Sequence, residues 1–345
     1  PWVLRSINQQ IVSFRSVKDP DHSNPLVIQV KPFVLFSPEE SGLIFHTAEG
    51  GGDSWYLEAD ARFAVRKTEN GYVVYTDSML SLLGLLQQLL LRRGISLAHA
   101  AALKDPAGNV LVLAGAGGVG KTALAGFLVK EKGYKLLGDD MVLLADSGEC
   151  LAFHRPFTLK EYHQSVYPEV FARRKRMSWQ KRFLRSVIWQ VYSNAPFRGV
   201  LDRFLRRGGL YNRIAFIPFI RRDYVDIVPV SEIFSAELLA ARGPVKRTLF
   251  LARSPAPEFF LGERDGIWMA RRMFAVLYQE LGGELGHLLG MGALGLEDQG
   301  ANFGRCRAVL EKAVSGTPCS LLRIPKKATP EELISAFERL VLKQP

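Results

Sequence analysis

The apolar positions come in short β-branched and aromatic runs over about the first 75 residues, then in longer runs broken by glycine. Leu26–Val30 and Pro32–Phe36 read as strands separated by a turn. Ala61–Arg66 and Tyr72–Tyr75 flank Asn70-Gly71, a pair that supplies the positive φ angles of a tight hairpin. Met79–Arg93 is a leucine-rich helix stopped by Gly94. From Ile95 onward strands alternate with helices, the pattern of an α/β unit. Asn109–Leu113 is a buried strand, Thr122–Lys132 a helix ending near Gly133, and Tyr134–Leu137 and Met141–Leu144 bracket an acidic pair. Short strands return at Asp226–Val228, Thr248–Leu251 and Cys319–Arg323. Thr329, Pro330 and Glu332 together mark the start of a last helix. The glycine-rich stretch Gly282–Gly300 reads as loop, and there are no repeats or low-complexity tracts.

Composition narrows this picture only in part. A chain of 345 residues suits one large or two medium domains, and 48% apolar with 23% charged residues excludes a largely disordered one. No uninterrupted apolar run is long enough for a membrane span, and the first residues lack the pattern of a secretory leader. Cys150, Cys306 and Cys319 are not spaced as a metal pair or redox motif, so a reduced, cytoplasmic protein is expected. The net charge of +11 is unevenly placed. Between Phe171 and Arg222 fourteen basic residues face a single acid, Asp202, and ten aromatic residues are interspersed. The 3–4 spacing of Phe183, Val187, Ile188 and Val191 predicts an amphipathic helix there, within an inserted arm. Such an arm fits a polyanionic partner, a solvated face, or self-association into a homo-oligomer.

The strongest chemical signal is Gly115-Ala116-Gly117-Gly118-Val119-Gly120-Lys121-Thr122, a full phosphate-loop pattern between an apolar strand and a helix. The glycines let backbone N–H groups turn toward phosphate oxygens. Lysine brings charge to the β- and γ-phosphates, and the threonine hydroxyl suits Mg²⁺. Asp139 and Asp140 follow one helix and one short strand later. Adjacent carboxylates at a strand end are costly without a cation, and a Mg²⁺–nucleotide supplies one. One acid would then hold the metal and the other face the substrate. His99 lies in a small-residue apolar stretch upstream, where a lone histidine is more often structural than catalytic. His154 and His163 carry no distinguishing signal.

Taken in order, His99-Ala100-Ala101, the polar turn at Lys104-Asp105, the strand Val110–Leu113, the phosphate loop and Gly138-Asp139-Asp140 resemble the catalytic core of the HPr kinase/phosphorylase family. The likeness is greatest to its shorter bacterial relatives, the HPr kinase-related proteins, which include natural-product peptide kinases; Arg155-Pro156-Phe157 also resembles a segment of these. It is good over about residues 90–160, loose over 220–345, and silent on the basic arm. Ala100 stands where HPr kinases proper usually carry glycine, and the segment associated with phosphorolysis and HPr docking has no counterpart. The resemblance implies an α/β fold with a P-loop kinase core of the HPr kinase/PEP carboxykinase type. A β-rich region over 1–77 would precede that domain, 78–345, with the basic insertion at about 171–222. It also implies ATP and Mg²⁺ as ligands, with Gly115 to Thr122 on the nucleotide, Lys121 assisting transfer, Asp139 as base, Asp140 with Thr122 on the metal, and His99 orienting Asp139. The acceptor would be a hydroxyl of a peptide, protein or small molecule. Two other classes remain open: a nucleotide-regulated binding protein, and a nucleic-acid-directed phosphotransferase using the basic arm.

Overall fold

Every position of the run Val110–Ala114 is buried, as expected of a strand covered on both faces. It belongs to a mixed α/β fold with a central mixed sheet and several helices. The computed structural model describes residues 27–31, 43–47, 54–58, 63–69, 71–76, 82–173 and 225–343. The expected strand Pro32–Phe36, residue Asn70 of the hairpin turn, the expected helix around Phe183–Val191 and the arm beyond Arg173 lie outside them.

Two compact units are present, residues 1–155 with 235–345, and residues 156–234. The first unit opens with strands β1 (Val27–Lys31), β2 (Leu43–Thr47), β3 (Ser54–Glu58), β4 (Phe63–Thr68) and β5 (Gly71–Thr76), in the order β1-β5-β4-β3-β2. Helix α1 (Leu82–Leu91) follows, then β6 (Ile95–Ala98), β7 (Ala100–Lys104), β8 (Val110–Ala114), α2 (Lys121–Lys132), β9 (Lys135–Gly138), β10 (Val142–Ala145) and β11 (Glu149–Leu151). The second unit holds the antiparallel pair β12 (Phe157–Lys160) and β13 (Val225–Val228), with short helices α3 (Pro168–Arg173) and α4 (Val230–Ile233). Its core is an edge-to-face cluster of Phe157, Tyr167 and Phe234. The first unit resumes with β14 (Arg242–Ser254), β15 (Phe260–Arg264), α5 (Gly266–Glu280), α6 (Gly282–Ala293), α7 (Gln299–Val314), β16 (Cys319–Pro325) and α8 (Pro330–Phe337).

Strands β6 to β11 and β14 to β16 form a nine-stranded sheet, in which the long β14 ties the halves together. Its start pairs antiparallel with β11, and its remainder lies parallel to β8 on one side and β16 on the other. Helix α2 packs on β7 and is covered by α8, whereas α1, α5 and α7 pack against β6. The expected capping box at Thr329 and Glu332 is present. The three cysteines are buried free thiols. Among the described residues no helix is long and apolar enough to cross a membrane.

One expectation is corrected. Gly282–Gly300 is not loop: Gly282–Ala293 is helix α6, and Gln299 opens α7. Glycine disfavours a helix by about 1 kcal/mol per residue relative to alanine. Tertiary packing overrides that preference here. Leu288 and Met291 are buried, and Met291 joins Tyr56, Phe63, Val65, Tyr72, Leu85 and Leu89 in the core between the N-terminal sheet and α1. Gly290 permits this approach, since a Cβ there would lie 2.9 Å from the Tyr56 ring.

The first turn of α6 also carries a buried acid, Glu284, whose Oε2 accepts the Gly84 N–H in the first turn of α1. Burial pushes its carboxyl from the ordinary 4.5 to about 8, against the opposing Gly84 N–H and Arg155 charge. The folded chain therefore keeps a proton that the unfolded chain releases above pH 4.5. Stability from this group falls as pH rises through that window, with a limiting slope of about 1.4 kcal/mol per pH unit. Glu284→Gln keeps the acceptor and removes the titration. Urea midpoints at pH 5 and pH 8 should lie closer together in this variant than in the parent, and equal spacing would show that Glu284 is ionised in the fold.

Candidate functional site

The loop 115–120 joins the buried strand β8 to α2, so its backbone N–H groups gather at the start of that helix. Gly120 caps α2 in a left-handed conformation, φ 111°. A side chain there would run into Leu333 of α8. Gly138 ends β9 at a turn so tight that a Cβ would lie 2.7 Å from the Met141 carbonyl oxygen. That turn presents Asp139 and Asp140 beside α2. His99 stands where the chain leaves its pairing with β10 and begins to pair with β8. The flanking Ala98 and Ala100 are fully buried.

His99, Lys121, Thr122, Asp139 and Asp140 converge. Lys121 is buried, and its Nζ donates to Gly115 O at 2.7 Å and Ala116 O at 3.0 Å, with His99 Nε2 2.8 Å away. An ammonium has only donors, so His99 Nε2 accepts and the imidazole proton is assigned to Nδ1. Burial lowers the Lys121 pKa, with Asp139, Asp140 and Glu280 opposing. Burial, followed by the Lys121 charge, holds His99 well below its ordinary range, hence neutral. Its Nδ1 has no hydrogen-bond partner and lies 3.5 Å from Asp140 Oδ1.

The two acids sit in different surroundings. Asp139 is buried, and its Oδ2 accepts the Thr122 hydroxyl at 2.8 Å while Oδ1 is buried without a partner. Burial raises its pKa to about 6, with the Thr122 bond opposing. Asp140 is 41% exposed at its side chain, and its Oδ2 receives Arg155 Nη1 at 2.8 Å. Its φ of 76° makes it the one non-glycine residue with positive φ among those described. A non-glycine residue in that region is uncommon, although aspartate tolerates it better than most.

Two members of the site escape sequence reasoning. Arg155 stood out only as part of a similar segment, and its guanidinium proves to hold Asp140. Glu280, at the end of α5, places Oε1 3.2 Å from the Gly117 N–H and 3.6 Å from His99 Nε2. No spacing signal links Glu280 to the loop; only the fold does. His154 and His163 stand apart. His154 Nε2 is 3.3 Å from Leu136 O, and buried His163, in the second unit, accepts the Lys160 N–H.

The orphaned Asp139 Oδ1 and the adjacent Thr122 hydroxyl are oxygen donors suited to a hard divalent cation. Among the described residues no group of three or more His, Cys, Asp or Glu could hold a metal by itself. A cation such as Mg²⁺ completes its shell with water and phosphate oxygens, so this sparse pair fits it. No protein-family model matches the chain, and no curated protein matches it. The functional reading therefore rests on this geometry.

The contact between Gly120 and Leu333 has a measurable consequence. Gly120→Ala should lower stability by roughly 1–3 kcal/mol through backbone strain and the clash. In a double-mutant cycle with Leu333→Ala, the combined loss should be smaller than the sum of the single losses. Simple additivity would show that the helix cap and α8 do not press on one another.

Proposed function

We propose that the chain is an ATP- and Mg²⁺-dependent kinase that transfers the γ-phosphate to an alcohol hydroxyl of a peptide, protein or small molecule. This reading takes the 115–122 loop as the P-loop of a kinase core. The observation that carries it is the division between the paired acids: one bonded to the loop's threonine, the other exposed, held by Arg155 and with His99 Nδ1 3.5 Å away.

The loop's N–H groups and Lys121 receive the polyphosphate. Asp139 and Thr122 would hold Mg²⁺, which when bound would neutralise charge on the phosphate oxygens. Asp140 takes the proton from the acceptor hydroxyl. The hydroxyl oxygen then bonds to the γ-phosphorus, the bond to the β–γ bridging oxygen breaks, and ADP leaves. Neutral His99 orients Asp140 from one side, and Arg155 fixes its other oxygen. This reverses the split implied by the resemblance, in which Asp139 is the base and Asp140 the metal ligand. Asp139 is the less accessible acid, since it is buried and already bonded to Thr122. A base must reach substrate, and Asp140 is the acid that solvent reaches. A nucleotide-switched binding protein would need Lys121, Thr122 and Asp139, but no second acid braced in this way.

Three variants test the reading, with labelled ATP and a pool of hydroxyl acceptors. Lys121→Ala should abolish nucleotide binding and transfer while leaving the fold intact. Asp140→Asn should keep Mg²⁺–ATP binding yet lose about 10²–10⁴ in transfer rate. Asp139→Asn should raise the Mg²⁺ concentration needed for half-maximal rate. If Asp139→Asn lost transfer at saturating Mg²⁺ while Asp140→Asn did not, the acids would have the opposite roles. Undiminished transfer by Lys121→Ala would remove the loop from the mechanism.

A further inference from the structure

Glu280 ends α5 at the pole where a helix's last carbonyls carry partial negative charge, and no basic residue occupies that turn. An acid is locally misplaced there. Its compensation lies in the loop, where Oε1 accepts the Gly117 N–H at 3.2 Å beside the Lys121–His99 pair. A carboxylate oxygen and a phosphate oxygen are both anionic acceptors, and one N–H directed at the first is not free for the second.

We propose that Glu280 is a built-in occupant of the loop's anion seat: its carboxylate stands where a nucleotide phosphate would bind and must be displaced for the nucleotide to enter. The inference rests on the reading of the 115–122 loop as a nucleotide site. The Glu280 side chain is 33% exposed, so it can swing into solvent without opening the core. Its cost appears in affinity. When only a fraction of molecules has the seat open, the apparent dissociation constant rises by the inverse of that fraction. Residual repulsion between the displaced carboxylate and the phosphates acts in the same direction. Glu280 thus shifts the nucleotide concentration at which the loop is half occupied upward.

Calorimetric titration with Mg²⁺–ATP and with inorganic pyrophosphate decides the matter on the full chain, using Glu280→Gln, Glu280→Asp and Lys121→Ala variants. Glu280→Gln keeps an acceptor but removes its charge, and weakening a charge-assisted bond to a neutral one makes the expected gain on the order of tenfold in dissociation constant. Glu280→Asp keeps the charge but shortens the reach to Gly117, so it should recover much of that gain. A purely long-range charge effect would leave it at the parent value and overturn the proposal. The proposal also falls if Glu280→Gln binds no more tightly than the parent while Lys121→Ala still abolishes binding. In that case the nucleotide site survives. If neither the parent nor Glu280→Gln bound nucleotide or pyrophosphate, or if binding ignored Lys121→Ala, the nucleotide reading itself would fail, and this proposal with it.

Discussion

A lysine ammonium buried at the first position of a helix is the constraint on which this site is built. It suffers twice, once from lost hydration and once from the positive pole of α2. Three acceptors meet it, Gly115 O, Ala116 O and His99 Nε2, and three carboxylates, Asp139, Asp140 and Glu280, surround it with opposite charge. The fold supplies each partner from a different place: the loop folds two carbonyls inward, the break between β6 and β7 supplies the imidazole, the turn after β9 supplies two acids, and the end of α5 supplies the third. Such a concentration of locally unfavourable choices is expected at functional sites rather than in a core built for stability alone.

The neutrality of His99 follows from that lysine. An imidazolium beside a buried ammonium would add a second unscreened cation, so the ring accepts at Nε2 and keeps its proton at Nδ1, toward Asp140. The lysine thereby fixes the tautomer, and the tautomer presents a donor edge to the exposed acid. Arg155 holds the other oxygen of the same acid. The buried acid, Asp139, is tied instead to Thr122, the next residue after the lysine. Neighbours in sequence, Lys121 and Thr122, therefore reach the two acids by separate routes.

The parts of this arrangement legible in the sequence are those encoded by short spacing. The loop, its flanking strand and helix, and the acid pair lie within one β–α–β stretch, where each side chain's position follows from the element that bears it. The strand at Val110 and the capped helix at Pro330 were legible because burial on two faces and a capping box leave local patterns. Helix α6 was not, because its glycines oppose a helix, and what two of them make room for is distant or beyond the helix: the Tyr56 ring at Gly290 and the Gln299 side chain at Gly292. Glu280 was not legible for a similar reason: its role is set by the N–H it meets across the fold, and an acid at a helix end has no pattern of its own. The contrast in surroundings between Asp139, buried on Thr122, and Asp140, exposed on Arg155, was open in the residues alone, since the sequence gives two equivalent carboxylates side by side.

What separates those carboxylates is backbone geometry. Successive residues of an extended strand point to opposite sides, so two acids at a strand end already tend to diverge. Here the divergence is enforced by Gly138, whose missing Cβ lets the chain turn back toward Met141, and by the left-handed conformation of Asp140. The first acid is left facing α2 and the second is turned outward to Arg155. Were both directed inward, two like charges would share one buried cleft and one would stay protonated, leaving a single working carboxylate. Facing opposite ways, one can be a buried oxygen donor with a free lone pair and the other a solvent-reachable base. A positive φ at a non-glycine residue is a local strain, and in this fold it is the feature that makes two adjacent aspartates chemically distinct.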